Sequence, residues 1–395
     1  MVEFSILQFS DDNTIIAQSS SISQLFFIYS GLFLPFSPLF RYHCIEGSDL
    51  MRKHRAHPLL HFIISLIITL TILFLLCAGT FIVYELNRMD RDTAGDSHPS
   101  SLNSFQDTGD GIDWGLDQIS PVRSRKVINI LLIGQDRREG QESQMRSDSM
   151  ILCSVQKKTG TIRLTSLMRD MFLPVYGGKY GPLNLTYYAG GMDLLDKTIQ
   201  QDFGVSVDAN MEVDFFRFIA LIDRLGGLDL ELTQEEADWL NGTTGDYWQS
   251  EWNADAGISN AGWNLHAGWN SMTAEQVTDY CRLRVVGKSD WERTERQRTV
   301  IMEILRKVRL QSPMDQIRFI HSAMPLIRTD LGIGTLFRLG MAAMFHRFDT
   351  FENNRIPAAD AYRSANIYSS DYGNLTLLIP DLPKNAETLL NSIYN

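Results

Sequence analysis

Val127-Ile-Asn-Ile-Leu-Leu-Ile133, followed at once by Gly134, is the stretch that decides the fold of this 395-residue chain. All but one of its side chains are apolar, and such a run is typical of a strand buried on both faces of a sheet. Two similar runs follow at 150–155 and 162–167, joined at Lys157-Lys-Thr-Gly160. We therefore expect three strands of one buried sheet in this part of the chain.

Helical patterns come after these strands. Apolar residues recur at three- and four-residue spacing over 192–203 and 214–225, and Gly226-Gly227 ends the second pattern. Residues 228–232 alternate between apolar and charged side chains, as a half-buried strand does. Strands and helices mixed in this order predict an α/β fold in which helices flank a central mixed sheet.

The composition limits the kinds of partner. A hydrophobic content of 44% is enough for a substantial core, so this is not a disordered protein. The net charge is −11 and the sequence pI is about 5.2. Sequence-independent binding to nucleic acid needs a broad basic surface, so we expect no nucleic-acid partner.

Residues 59–84 predict a single transmembrane helix. They contain no Lys, Arg, Asp or Glu and are long enough to cross a bilayer core of about 30 Å. Arg52, Lys53 and Arg55 lie in the basic flank at 51–58, so the positive-inside rule places the N-terminus in the cytoplasm and residues from 85 onward outside the cell. A cleaved signal peptide fits less well because the run is long and lacks a good small-x-small cleavage site. The sequence thus predicts a single-pass plasma-membrane protein.

The segments on either side of this span do not look like domains. Residues 1–50 include an aromatic stretch broken by Pro35 and Pro38, and we expect Met51 to be the initiator, with a re-entrant or interfacial segment as the alternative. Residues 85–122 are polar and rich in Gly, Ser and Asp, which is typical of a linker. Residues 123–395 then form the extracellular folded domain.

Arginines gather late in the chain. In Tyr280-Cys-Arg-Leu-Arg284, Arg282 and Arg284 alternate with apolar residues, so in a strand both guanidiniums would lie on one face. Residues 291–310 show the apolar stripe of an amphipathic helix. The same stripe, continued toward the N-terminal end of that helix, falls on Gln297 and Arg293. These cations would repel one another unless a multivalent anion joined them, and guanidinium forks suit phosphate oxygens. A solvated edge strand followed by a charged helix start is the alternative.

Further charged residues lie where the predicted strands end or begin. Asp136 follows the first strand, Arg146 and Asp148 precede the second, and Arg169-Asp170 follows the third. Open α/β sheets bind ligands at the carboxyl ends of their strands. Paired aspartates beside phosphates are typical ligands of Mg²⁺. The sequence therefore predicts a Mg²⁺ site at Asp136 and Asp148.

These motifs together resemble those of the LytR-CpsA-Psr family of bacterial cell-wall ligases. The resemblance covers roughly residues 125–395. It is carried by Asn129-Ile-Leu-Leu-Ile-Gly-Gln-Asp-Arg-Arg-Glu139, Arg146-Ser-Asp148, Met168-Arg-Asp170, Tyr280-Cys-Arg-Leu-Arg284, Arg293-Thr-Glu-Arg-Gln-Arg298, Arg355-Ile-Pro357 and Leu377-Leu-Ile-Pro-Asp381. One departure is Pro182-Leu-Asn184, where members of the family often have Lys-Ile-Asn.

The resemblance implies an α-β-α sandwich and a Mg²⁺-dependent phosphotransferase. Such an enzyme moves a glycopolymer from an undecaprenyl pyrophosphate carrier to peptidoglycan. By motif, Asp136 and Asp148 match the aspartates linked to Mg²⁺. The residues that match the pyrophosphate-binding and catalytic set are Arg138, Arg146, Arg169, Asp170, Arg282, Arg284, Arg293 and Gln297.

Several points stay open at this stage. The base that accepts the proton of the acceptor hydroxyl is Asp148 or Asp170. The helix that carries Phe215, Phe216, Phe218, Ile219, Leu221 and Ile222 is either one wall of a slot for the lipid or a plain core helix. A hydrolase of polyprenyl pyrophosphates and a non-catalytic regulator that binds lipid-linked precursors are the alternative functions.

A tryptophan-rich stretch is a candidate glycan-binding loop. Five of the seven tryptophans of the chain lie between 239 and 269, among Gly, Asn, Asp and Ser residues. Flat aromatic faces beside polar side chains suit sugar rings, whereas packing of these rings on one another is the alternative.

Overall fold

The structure is a computed structural model. It describes residues 67–71, 73, 79–81, 83–84, 87–88, 90–91, 98–105, 111–135, 146–242, 263–284, 286–287, 290–332, 334–335, 338–339, 348 and 350–395. The chain divides into a unit of residues 1–73 and a unit of residues 74–395, and the second unit contains every element named below.

The strands and helices follow one another in a mixed order. The strands are β1 (Asp90–Arg91), β2 (Val127–Gln135), β3 (Ser147–Gln156), β4 (Thr161–Leu167), β5 (Phe172–Val175), β6 (Lys179–Pro182), β7 (Ala209–Asp214), β8 (Leu228–Leu232), β9 (Gly268–Met272), β10 (Arg328–Thr329), β11 (Thr350–Ile356), β12 (Tyr362–Ser369) and β13 (Gly373–Pro380). The helices are α1 (Leu183–Phe203), α2 (Phe215–Arg224), α3 (Gln234–Leu240), α4 (Ala274–Arg282), α5 (Asp290–Leu310), α6 (Pro313–Ala323) and α7 (Leu382–Tyr394).

A seven-stranded mixed sheet forms the centre of the domain. Its strand order is β1-β10-β7-β2-β3-β4-β11. The pairs β2–β7, β4–β11 and β1–β10 are parallel, whereas β2–β3, β3–β4 and β7–β10 are antiparallel. The three strands predicted from apolar runs are therefore β2, β3 and β4, adjacent and central as expected.

Helices cover both faces of this sheet, which confirms the predicted α/β class. On one face, α1 and α7 enclose a core that includes Leu131, Ile133 and Leu152. On the other face, Ile128, Ile130 and related side chains pack against residues 301–305 of α5. Strand β2 is buried on both faces because its apolar side chains contribute to both cores.

A smaller layer, made of helices and two paired strands, adjoins the face of the sheet that α5 covers. The antiparallel pair of strands β8 and β9 packs with α2, α3 and α4 around a separate apolar cluster that includes Ile222 and Val277. Helix α2 begins at Asp214, whose side chain accepts a hydrogen bond from the backbone N–H of Arg217. The cap fixes the start of α2 at the end of β7.

At residues 280–284 the structure has the end of a helix in place of the strand that was considered there. Residues 274–282 form α4, which begins with a capping box between Thr273 and Gln276 and ends at Leu283. The alternation of Arg282 and Arg284 spans the end of a helix and the start of an irregular segment, so it does not reflect a strand. The helix predicted over 291–310 is confirmed as α5.

Other predictions fall wholly or partly outside the described residues. Residues 1–50 and most of the predicted span at 59–84 lie outside them. The predicted linker at 85–122 is described mainly over 98–105 and 111–122, and there the structure corrects it, because Leu102, Phe105 and Trp114 are buried in the core of the domain. Within the described part of the chain, no helix combines the length and the apolar character needed to cross a bilayer.

The tryptophan-rich stretch is only partly a loop. Trp239 belongs to α3 and Trp269 to β9, and Trp239 and Trp263 pack against the cluster of the smaller layer. These two rings therefore pack in an apolar core, a role different from the packing of the tryptophans on one another that was the alternative. Trp248 and Trp252 lie outside the described residues.

Candidate functional site

A cavity of about 650 Å³ lies between the central sheet and helices α2, α4 and α5. Most of its wall is apolar and comes from both the sheet and the helices. The apolar lining residues include Ile130, Leu132, Ile151, Cys153, Val155, Ile162, Met211, Phe218, Ile301, Ile304, Leu305, Leu339 and Phe348. A space of this kind excludes water and suits an apolar chain.

Polar side chains line the other end of the same cavity. They are Gln135, Asp148, Ser149, Asp214, Thr278, Arg282, Arg284, Arg293 and Gln297. Five of these, namely Asp148, Arg282, Arg284, Arg293 and Gln297, belong to the site predicted from the sequence. The structure thus brings them together, from β3, the end of α4 and the first turns of α5.

Asp290, the first residue of α5, is a counter-charge that the sequence reasoning missed. Its Oδ2 lies 3.2 Å from Arg293 Nη2 and 3.3 Å from Arg169 Nε, and its Oδ1 lies 3.6 Å from Arg284 Nε. One half-buried carboxylate therefore balances three guanidiniums. Arg169 also donates a hydrogen bond to Asp148. Asp148 and Asp290 together hold Arg169 between them.

The cation cluster carries more positive charge than these two carboxylates neutralise. Burial, together with the neighbouring Arg169 and Arg284, lowers the pKa of Arg293 to about 10. Burial and the same kind of repulsion also lower the pKa of Arg284. Arg293 Nε is buried with no hydrogen-bond acceptor in the part of the chain that the structure describes. An anion at this end of the cavity would relieve both effects.

Arg282 lies at the same end but in different surroundings. Its guanidinium carbon lies 4.6 Å from the ring centre of Phe215, at the start of α2. Burial raises the pKa of Asp279, one turn earlier in α4, to about 6, and the charge of Arg282 opposes this rise. The aromatic ring fixes the guanidinium beside the cavity.

Gln297 and Gln135 are held by buried hydrogen bonds. Ser149 Oγ donates to Gln297 Oε1 at 2.9 Å, so the amide of Gln297 is anchored to β3. Gln135 Nε2 donates to the hydroxyl of Tyr187 at 3.0 Å, and Tyr187 donates to Glu212. These contacts preorganise the polar end of the cavity at the carboxyl end of β2.

Asp170 lies next to the arginine cluster rather than in the cavity wall. Burial, the largest effect on it, raises its pKa, and the charges of Arg169 and Arg293 oppose the rise. Its Oδ1 is buried and accepts no hydrogen bond from the described residues. A carboxylate in this state binds a proton more readily than an exposed one.

Arg146, another predicted site residue, is not brought to the cavity by the structure. Arg146 is exposed, and its guanidinium carbon lies 4.3 Å from the ring centre of Tyr372. It does not line the cavity, because its side chain points to the segment before β13. Asp136 and Arg138 lie outside the described residues.

Asp148 is the predicted Mg²⁺ ligand that lies among the described residues. No group of three or more His, Cys, Asp or Glu side chains suited to a metal occurs in the described part of the chain. Mg²⁺ at phosphates needs only one or two carboxylates, because phosphate oxygens and water complete its octahedron. Asp148, partly exposed at the polar end of the cavity, is such a carboxylate.

Helix α2 is partly a wall of the cavity and partly a core helix. Phe215, Phe218 and Leu221 line the cavity, whereas Ile222 is fully buried in the cluster of the smaller layer. Phe216 is 41% exposed, so it belongs to neither. The helix therefore both lines the cavity and packs in a core, and its role as one wall of a slot for the lipid stays a prediction.

A comparison with known families agrees with this geometry. Residues 90–377 match the sequence profile of the LytR_cpsA_psr family. The chain belongs to the LytR-CpsA-Psr family. The family predicted from the motifs is confirmed, and the matched region begins about 35 residues before the stretch over which the motifs were recognised.

Two curated relatives show how much of the sequence is shared. Biofilm regulatory protein A of Streptococcus mutans is 28% identical over 237 residues, which are 56% of this chain and 52% of that protein. A protein of Oceanobacillus iheyensis, named polyisoprenyl-teichoic acid--peptidoglycan teichoic acid transferase TagU, is 27% identical over 241 residues, 59% of this chain and 65% of the relative. The match thus spans between half and two thirds of the length of these LytR-CpsA-Psr relatives.

Solved structures of related proteins have the same fold. Protein gbs0355 from Streptococcus agalactiae superposes with a TM-score of 0.54 at 23% identity, covering 68% of this chain and 86% of that one. TagT bound to LI-WTA superposes with a TM-score of 0.51 at 18% identity, covering 71% and 93%. At these identities the likeness shows the fold of the LytR-CpsA-Psr domain.

Proposed function

We propose that this chain is a membrane-anchored extracellular phosphotransferase that moves a glycopolymer from an undecaprenyl pyrophosphate carrier to peptidoglycan. The observation that carries the proposal is the cavity, which is apolar along most of its length and ends in a cluster of arginines. A polyprenyl pyrophosphate has the same division between a long apolar chain and a compact anion. The relative named a teichoic acid transferase supports the same class of substrate.

The proposed roles follow from position in the cavity. The lipid chain lies along the wall formed by β2, β3, α2 and α5, and the pyrophosphate lies between Arg282, Arg284 and Arg293, with Gln297 beside it. Arg169, held by Asp148 and Asp290, adds a further positive charge at the same end. Preorganised guanidiniums stabilise the charge that develops on phosphate oxygens during transfer.

The proposed reaction is an in-line displacement at phosphorus. A sugar hydroxyl of peptidoglycan attacks the phosphorus next to the glycan, forming a new O–P bond. The bond from that phosphorus to the bridging oxygen breaks, and the lipid leaves as its monophosphate. The hydroxyl proton passes to the carboxylate of Asp148 or of Asp170. Asp148 lines the cavity and accepts a hydrogen bond from Arg169, whereas Asp170 lies beside the arginine cluster and burial raises its pKa.

We further propose that Asp148, with Asp136, holds Mg²⁺. The ion would neutralise part of the pyrophosphate charge when bound. We also propose that Arg138 contributes to the pyrophosphate site, and Arg146 would do so after its guanidinium leaves the ring of Tyr372. The predicted span at 59–84 would anchor the chain in the plasma membrane.

The test is a transfer assay with the full chain in a bilayer. A polyprenyl pyrophosphate carrying a labelled glycan is supplied with Mg²⁺ and peptidoglycan fragments, and we expect the label to join the peptidoglycan. Arg284→Ala should abolish most of this transfer, whereas Arg363→Ala, an exposed arginine of β12 outside the cavity wall, should not.

Other results would replace the proposal. Label released as free glycan, without transfer, would favour the hydrolase. Tight binding of the lipid without any turnover would favour a regulator that senses lipid-linked precursors.

A further inference from the structure

The corner between α5 and α6 exposes a group of apolar side chains. Leu310, the last residue of α5, is 79% exposed, and Met314, Ile317 and Ile320 of α6 are 58%, 44% and 39% exposed. Residues spaced by three or four lie on neighbouring parts of a helix surface. Large apolar side chains grouped in this way mark a surface that contacts something other than water.

The last residue of the predicted transmembrane span and a residue that follows it contact the same helix. The ring of Tyr84 stacks on the ring of His321, with 6.3 Å between their centres. Arg88 Nη1 donates a hydrogen bond to the backbone carbonyl of His321 at 3.0 Å. His321 follows Ile317 by one helical turn, so the chain passes beside the exposed stripe immediately after residue 84, where the predicted span ends.

The apolar end of the cavity lies on the side of the domain where α5 meets α6. Along α5, Arg293 and Gln297 line its polar end, then Ile301 and Leu305 line its apolar end, and Leu310 follows. The 13 residues from Gln297 to Leu310 correspond to about 20 Å of helix. The apolar end of the cavity is thus the end nearer to α6, and the arginine cluster is the end farther from it.

Basic residues border the apolar corner. Arg309 and Arg318 are exposed beside Leu310 and Ile317, and Arg318 also pairs with the exposed Asp315 of the same helix at 2.8 Å. Arg224, at the end of α2, donates a hydrogen bond to the backbone carbonyl of Ser322. Apolar side chains bordered by arginines match the interface of a bilayer, where acyl chains adjoin anionic headgroups.

We propose that the corner formed by Leu310, Met314, Ile317 and Ile320 docks on the surface of the anionic bilayer that holds the membrane span. This deepens the proposed function and rests on it, because docking would turn the apolar end of the cavity toward the membrane. A polyprenyl chain could then enter the cavity from the bilayer, while its pyrophosphate stays at the outer, arginine-lined end.

The test uses photo-crosslinking of the full chain in vesicles of phosphatidylglycerol and phosphatidylethanolamine. p-Benzoylphenylalanine replaces Ile317 in one sample. In the matched control it replaces Tyr368, which is 62% exposed on β12, in the part of the domain where Tyr372 contacts Arg146. Mass spectrometry of the irradiated protein should find lipid adducts at position 317 and far fewer at position 368. Equal labelling at both positions, or adducts at 317 with a second copy of the chain instead of lipid, would overturn the proposal.

A double variant provides a second, functional measurement. Met314→Glu with Ile317→Glu places two negative charges on the docking surface, and each charge is repelled by anionic headgroups. Transfer from a donor embedded in the bilayer should fall about tenfold. Transfer from a donor dispersed in detergent should not change, and neither should Tm, because both side chains are exposed. A fall of the same size in both settings would show that these residues act on the fold or the chemistry instead. If lipid adducts form at position 317 but the chain transfers no glycan, the docking proposal stands and the proposed phosphotransferase activity is refuted.

Discussion

Replacing Asp290 by Asn should destabilise the domain while tightening its binding of inorganic pyrophosphate. The Asp290 carboxylate is within 3.6 Å of Arg169, Arg284 and Arg293, and 22% of its side chain is exposed. Removing one partner of a buried ion pair lowers the free energy of unfolding by about 3–5 kcal/mol, whereas removing one partner of an exposed pair lowers it by less than about 1 kcal/mol. For this half-buried carboxylate we expect a loss of about 2 kcal/mol, or about 5 °C in Tm.

The same substitution removes an anion that competes with the ligand. A charge about 6 Å from a phosphate oxygen, at an effective dielectric constant of about 40, repels it by roughly 1.4 kcal/mol, which corresponds to about tenfold in affinity. Pyrophosphate would also supply the negative charge that Asn lacks. Saturating pyrophosphate should therefore raise the Tm of Asp290→Asn by more than it raises that of the wild type.

The assay is thermal unfolding of the full chain in detergent, with and without pyrophosphate. Asp193→Asn is the matched control, because Asp193 pairs with Lys197 on the exposed side of α1 and should leave both measurements nearly unchanged. A variant Asp290→Asn that unfolds at the wild-type temperature, or gains no extra stability from pyrophosphate, would refute the assigned role of this carboxylate.

Four further changes test other parts of the structure. Arg284→Ala should lower kcat/KM about ten- to hundredfold, since a charge-assisted contact contributes about 1.5–3 kcal/mol; steady-state kinetics with unchanged values would show that it is structural. Asp148→Asn should abolish the response of the rate to Mg²⁺, and a full response in a Mg²⁺ titration would place the ion elsewhere. Ile301→Trp should fill the apolar end of the cavity and weaken binding of a long polyprenyl pyrophosphate but not of a short one, as measured by calorimetry. Burial raises the pKa of Asp196 from 3.8 to about 7, so its contribution to stability is present below about pH 4 and is lost as the pH rises through 7. Asp196→Asn should therefore flatten the dependence of Tm on pH between 4 and 7, and an unchanged slope would contradict the shift.

The central strands could be predicted from the sequence because burial on both faces leaves a direct trace. Nearly every residue of 127–133 must be apolar when both sides of a strand meet a core, and the structure places β2 between two clusters. The face of α5 that lines the cavity could also be predicted. Its apolar residues and its polar residues Arg293 and Gln297 recur at the same helical spacing, because all of them face the same cavity.

The interpretation of residues 280–284 as a strand was wrong for a local reason. An alternation over a few residues is shorter than two helical turns, so it cannot distinguish a strand from the end of a helix. The stronger signal was the pair Thr273 and Gln276, which forms a capping box and begins α4. Both arginines still reach the cavity, because α4 ends beside it.

Asp290 could not be predicted because its role depends on three separate segments. In sequence it is one acidic residue at the start of a helix, where such residues are common. Only folding brings Arg169 from the end of β4 and Arg284 from the end of α4 to the same carboxylate. Arg146 is the opposite case, a residue close in sequence to a site residue but not close to the cavity. It lies two positions before Asp148, yet its side chain contacts Tyr372.

The most direct test of the proposed reaction is the fate of the two phosphorus atoms of the donor. Two samples of a polyprenyl pyrophosphate glycan are prepared, one with radioactive phosphorus next to the glycan and one with it next to the lipid. Each is incubated with the full chain in a bilayer, Mg²⁺ and peptidoglycan. We predict that the phosphorus next to the glycan joins the peptidoglycan and that the phosphorus next to the lipid stays in the lipid monophosphate. Both labels remaining with the lipid, or either appearing as soluble phosphate without any label on peptidoglycan, would contradict direct transfer at the arginine end of the cavity.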